Sequence, residues 1–199
     1  KRRPPHLSPE RILGRGLAAG PPASARIVIF PRHPDTFARV LRGGPLAFQT
    51  FREHTYTWDI DGTLVASGGA GMRALRTALL RTFAIDGSLE DIDFGGRTDR
   101  WIMRRIFGKF GLPATEENFG RFLDGYLAEL PAELANPHAR VLPGVRALLA
   151  TAGARPDVAQ GLLTGNVERG ARTKLSHHGL WDHFPFGAFA DDSEFRNEL

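Results

Sequence analysis

The chain contains no cysteine. That single absence excludes disulfides, thiolate-bound zinc, iron–sulfur clusters and thiol catalysis, and it fits a reducing compartment such as the cytoplasm. No run of about 18 or more apolar residues occurs, so no membrane-spanning helix is expected. No stretch has the basic-then-apolar layout of a secretion signal. The 23 glycines and 14 prolines follow no three-residue period, which excludes a collagen-like fibre. What is present is ordinary for a folded protein: 42% hydrophobic and 24% charged residues in 199. That length suits one domain, or one domain carrying an inserted lobe. The chain opens on Lys1 rather than Met, as a fragment or a processed product does.

Charge divides the chain. Residues 1–52 hold ten Lys/Arg against Glu10 and Asp35, a net of +8, and eight of the prolines. The other 147 residues hold 16 basic and 20 acidic groups, a net of −4. The first part reads as a basic, Pro-rich leader, expected to be disordered apart from the β-prone run Ile27-Val28-Ile29-Phe30. Such an arm can attract nucleic acid or another anionic surface. It lacks interleaved aromatics and any nucleic-acid motif, so a nucleic-acid partner is not the expectation.

From Thr55 the pattern changes. Thr55-Tyr56-Thr57-Trp58 is β-prone and runs into Asp59-Ile60-Asp61-Gly62-Thr63-Leu64. Helical spacing of apolar residues then predicts helices over 71–83, 99–110 and 116–134. Pro143-Gly144 opens another at Val145–Ala152. Val158–Leu163 reads as a buried strand ending at Thr164-Gly165-Asn166. A helix over 168–178 follows, with Gly179 beyond its end, then a strand over 186–190 closed by Asp191-Asp192. The order strand, helices, strand, helix, strand predicts an α/β core with a helical insertion after its first strand.

The chemistry concentrates at Asp59 and Asp61. Two carboxylates two residues apart on an extended strand face the same way. Their repulsion is relieved by a hard, oxygen-seeking cation, for which Mg²⁺ is the natural choice. Gly62 lets the chain turn directly after the pair, and Thr63 adds a hydroxyl and an N–H close to a bound anion. A carboxylate in this position can attack phosphorus, and its neighbour can handle the leaving-group proton.

Trp58-Asp59-Ile60-Asp61-Gly62-Thr63-Leu64 resembles the first motif of the haloacid dehalogenase (HAD) superfamily of phosphatases and related hydrolases. Leu162-Leu163-Thr164-Gly165-Asn166 resembles its second motif, and Lys174, followed by Gly179-Leu180-Trp181-Asp182-His183-Phe184, its third. The resemblance covers about residues 55–199. It implies a Rossmann-like parallel sheet core over 53–66 and 143–199, with an α-helical cap over 67–142. It also implies that Asp59 is a nucleophile and Mg²⁺ ligand. Asp61 would be the general acid/base, with its carbonyl on the metal. Thr164 would bond a phosphoryl oxygen, unless it merely ends a strand. Lys174 would neutralise charge on the phosphoryl group and on Asp59, a role left open between Lys174 and Arg196. Thr63, Gly165 and Asn166 fall beside the substrate. Arg97, in the polar turn Gly95-Gly96-Arg97-Thr98-Asp99, would meet an anionic substrate group, unless that turn only caps the next helix. Phe119, Phe122 and Tyr126 read as cap core.

The family's fourth motif, an acidic pair supplying a further metal ligand, is not found. Asp191-Asp192 comes too early and reads as the end of the third strand. The expectation is a core incomplete at its C-terminus, with the first strand left unpaired at one edge. The function implied is Mg²⁺-dependent hydrolysis of a small phosphorylated metabolite through an aspartyl phosphate. Alternatives on the same fold are a 2-haloacid dehalogenase, which Asp61 disfavours, and a phosphomutase. The alternative of another class is a non-catalytic fragment whose basic leader binds nucleic acid.

Overall fold

The computed structural model describes residues 28–29, 54–195 and 199. The sheet is built from β1 (Val28–Ile29), β2 (His54–Trp58), β5 (Val158–Leu163) and β6 (Gly187–Ala188), in that spatial order. β2, β5 and β6 run parallel, with Trp58 opposite Leu162 and Leu162 opposite Gly187. β1 lies antiparallel on the outer edge of β2, Val28 opposite Thr57. The edge that the sequence leaves without a partner is therefore paired over two residues. The remainder of residues 1–52 lies outside the described residues, as does Arg196.

α4 (Val145–Gly153) and α5 (Glu168–His177) bring Val145, Leu149, Ala171 and Leu175 against Trp58 and Leu162. These form one buried core. α5 ends where sequence reading places it, with Gly179 in the left-handed region at φ 65°. The expected strand over 186–190 is shorter in the structure. Beyond Ala188 the backbone turns, because Phe189 N–H donates to the Asp192 carboxylate at 2.9 Å instead of to a neighbouring strand.

Between β2 and α4 stand three helices, α1 (Ala70–Phe83), α2 (Asp99–Phe110) and α3 (Glu116–Leu134). They surround a second core that includes Leu79, Phe107, Phe122, Tyr126 and Leu130. Thr98 and Thr115 cap α2 and α3, each accepting the N–H three residues on at 3.2 Å. Asp99 and Glu116-Glu117 sit in the first turns, where a carboxylate suits the helix dipole. The chain enters and leaves this helical layer through a two-stranded ribbon, β3 (Val65–Ala66) against β4 (Arg140–Val141). Neither strand was expected from sequence. Two residues are too few to show a period. Among the described residues, no helix is long and apolar enough to cross a membrane.

Candidate active site

β2 and β5 are parallel neighbours, so their carboxyl ends open on the same side, where sites gather in such sheets. β2 stops at Trp58 and β5 at Leu163. Asp59 and Asp61 follow the first, Thr164, Gly165 and Asn166 the second. The turn after β2 is tight: Leu64 and Val65 N–H both donate to the Ile60 carbonyl, at 2.9 and 3.1 Å. Gly62 makes it possible with φ 76°, a conformation that strains any residue with a Cβ. Ile60 is fully buried and anchors the turn, which leaves the flanking aspartates at the surface of the cleft.

A cavity of about 300 Å³ lies between this edge and the helical layer. Asp59, Asp61, Asn166 and Lys174 line it from the sheet side, and Arg97 and Tyr126 from the helical side. Lys174 projects from α5 and is itself buried, 5% exposed. Its ammonium donates to Asp61 Oδ2 and to Asn166 Oδ1, both at 2.6 Å. The Asn166 amide donates to the same Asp61 oxygen at 2.9 Å and to Thr164 Oγ1 at 2.8 Å. Ser67 Oγ donates to the other Asp61 oxygen.

This network sets the charges. Burial alone pushes the Asp61 carboxyl up, but the Lys174 ammonium and the bonds from Lys174, Ser67 and Asn166 outweigh it and hold it below the usual range. Asp61 keeps 44% of its side-chain surface accessible because it faces the cavity, so solvent there moderates both effects. Burial depresses the Lys174 ammonium, yet Asp61 beside it reverses the shift and keeps it protonated. The pair is an ammonium facing a carboxylate across ordinary pH.

The remaining expected site residues fall in different places. Thr164 is fully buried, and its hydroxyl accepts from Asn166 rather than lining the cavity. Thr63 is buried in the turn, its N–H donating to the Ile60 carbonyl at 3.3 Å, and it does not line the cavity either. Gly165 lies on the wall, where a Cβ would meet the Arg97 carbonyl at 2.2 Å. The Arg97 guanidinium stacks 4.7 Å over the Trp101 ring and lies 3.7 Å from Asp93. The ion pair of Lys174 is with Asp61, two residues beyond the carboxylate that the family resemblance assigns to it. Asp191 accepts from Glu168 N–H at 2.5 Å, so this carboxylate closes the start of α5.

Sequence reading missed three contributors. Ser67 reads only as the first residue of the helical insertion. Tyr126 looked like core, and it is, but it also reaches the cavity wall. Asp99 looked like a first-turn residue and turns out to contact the strand-end turn. A helical-period aromatic and a cap-region acid carry no mark of this in the sequence.

No group of three or more His, Asp or Glu side chains suited to a metal ion occurs among the described residues. A hard cation that keeps most of its waters needs only one or two carboxylates plus substrate oxygens. Asp59 and Asp61 both line the cavity. Both oxygens of the Asp61 carboxylate are already engaged.

A family model described as haloacid dehalogenase-like hydrolase matches residues 57–198. No curated protein matches the chain. Among solved structures, the chain is similar to CbbY from Rhodobacter sphaeroides in complex with phosphate, at 14% identity and TM-score 0.56, covering 69% of this chain and 63% of that one. It is also similar to a hydrolase from Pseudomonas syringae, at 21% identity and TM-score 0.53, covering 69% and 61%. At these identities the likeness is one of fold. The chain spans less than two thirds of the length of either structure.

Proposed function

This chain belongs to the haloacid dehalogenase-like hydrolase family, and from that premise we propose that it carries the catalytic centre of a phosphoric monoester hydrolase. The substrate class is a small phosphorylated metabolite. The observation that carries the reading is the meeting of Asp59, Asp61 and Lys174 in one small cavity at the carboxyl ends of adjacent parallel strands.

In this reading an Asp59 carboxylate oxygen attacks phosphorus. The ester P–O bond breaks, and the departing alkoxide takes a proton from Asp61. Water then attacks the aspartyl phosphate, giving its proton to Asp61 and releasing phosphate and free Asp59. Lys174 and the Asn166 amide supply positive charge and hydrogen-bond donors where the phosphoryl oxygens gather charge. A phosphate dianion entering the cavity competes with Asp61 for the Lys174 ammonium. As that ion pair loosens, Asp61 takes up a proton from solvent before the P–O bond breaks, and that is the proton it passes to the alkoxide. Mg²⁺ held by Asp59 and the Asp61 carbonyl would add charge neutralisation at the phosphoryl group. Arg97, lining the cavity from the helical side, is suited to an anionic substituent on the substrate.

The test is steady-state hydrolysis of para-nitrophenyl phosphate with Mg²⁺ present. Asp59→Asn removes the nucleophile and nearly preserves shape, so turnover should fall at least about a thousandfold. Full activity in this variant would refute the assignment.

A further inference from the structure

Asp99 is far from the β5–α5 turn in sequence, yet it holds that turn at two points. Its backbone N–H donates to the Gly165 carbonyl at 2.7 Å. Its carboxylate Oδ2 accepts from the Val167 N–H at 2.9 Å. These two bonds bracket Asn166. Asn166 in turn links Asp61, Lys174 and Thr164. The approach leaves no room at Gly165, since a Cβ there would meet the Arg97 carbonyl at 2.2 Å and the Thr98 Cα at 3.2 Å. Asp191 serves the Glu168 N–H at the start of α5, but Val167, which precedes that first turn, has no side-chain cap of its own. A helix start leaves N–H groups without partners, and a carboxylate is a strong acceptor for them. The acceptor here comes from α2, in the other layer of the molecule.

We propose that Asp99 is a positioning residue, tying the order of the Asp61–Asn166–Lys174 network to docking of the helical layer on the sheet. When the layers are together, Asp99 fixes both peptide groups flanking Asn166, so the amide is aimed at Asp61. When they part, the Gly165 carbonyl and the Val167 N–H lose their partners at once, and Asn166 is released. The site is then complete only in the docked form. The kinetic side of this inference rests on the phosphatase reading; the structural side does not.

Two measurements separate them. The first is amide hydrogen exchange at Val167 in wild type, Asp99→Ala, Asp99→Asn and Gly165→Ala. Asparagine keeps an oxygen that can accept from Val167 and removes only the charge. Alanine removes the acceptor. The Gly165→Ala methyl pushes the Arg97–Asp99 segment off the turn while Asp99 stays intact. Val167 should exchange at least about tenfold faster in Asp99→Ala and Gly165→Ala, the size expected for losing one hydrogen bond. It should stay near wild type in Asp99→Asn, with Leu149 in the sheet core unchanged throughout. Unchanged Val167 exchange in Asp99→Ala would overturn the proposal. So would an Asp99→Asn variant behaving like Asp99→Ala, or equal loss of protection at Leu149, which would mark global unfolding. The second measurement is para-nitrophenyl phosphate turnover, where kcat should drop in Asp99→Ala and recover in Asp99→Asn. An inactive wild type would remove the phosphatase reading, and Val167 exchange would still decide the positioning role.

Discussion

Lys174 is a buried cation whose charge is set against one carboxylate and one amide oxygen. Breaking a fully buried pair costs about 3–5 kcal/mol. Asp61 faces the cavity and would regain water if Lys174 were removed, so Lys174→Met should cost less, roughly 1–2 kcal/mol. Urea unfolding of the two proteins measures this, and a loss beyond about 4 kcal/mol would mean that Asp61 is drier than its exposure indicates. Asp99 leads to a pH prediction. Burial, opposed by the Lys174 ammonium, lifts its carboxyl from 3.8 to about 6. Between about pH 4 and 6 the folded state keeps a proton that the unfolded chain has lost, so this group's contribution to stability falls as pH rises through that window. Asp99→Asn removes the slope. The stability of Asp99→Asn relative to wild type should therefore rise from pH 4 to pH 7 in urea unfolding, and a difference that stays flat or falls would contradict the burial argument.

The helices were legible in the sequence because each had a period or a marked end. Thr98 and Pro143-Gly144 offered starts and Gly179 a stop, while Thr115 and Gly111 are caps that only the structure brings out. α3 shows the rule most plainly, with Phe119, Phe122, Tyr126, Leu130 and Leu134 buried on one face at spacings of three and four. Phe122 is fully buried, with its ring 5.5 Å from that of Phe107. Phe122→Ala should cost about 3–5 kcal/mol, seen as a lower Tm. A loss under about 1 kcal/mol would mean that the helical layer repacks freely. The ribbon strands were not legible. β3 and β4 have two residues each, and they exist because each supplies the other's partner; β6 is legible in the sequence, but as five residues rather than two. The acidic pair at 59 and 61 was legible from its position after a strand. The Asp99 contact was not, since its partner lies 68 positions away and nothing local distinguishes that aspartate from a helix cap.

The described residues form two cores, one in the sheet layer and one among α1, α2 and α3, facing each other across the cavity. Ion pairs also cross the gap. Arg169 meets Asp124 at 2.8 Å, but both side chains are about two-thirds exposed. Such a pair contributes under about 1 kcal/mol, so Arg169→Ala should leave thermal stability nearly unchanged. A Tm drop comparable to that of Phe122→Ala would show that this pair holds the layers together. The two Asp99 bonds, to the Gly165 carbonyl and from the Val167 N–H, cross the same gap beside the cavity.

The phosphatase reading depends on Asp59 forming a covalent bond to phosphorus. The direct measurement is mass spectrometry of protein quenched with acid during turnover of para-nitrophenyl phosphate. The account predicts one added phosphoryl group on the peptide carrying Asp59, lost on treatment with hydroxylamine. Steady turnover with that peptide unmodified, or with the phosphoryl group on another residue, would contradict it.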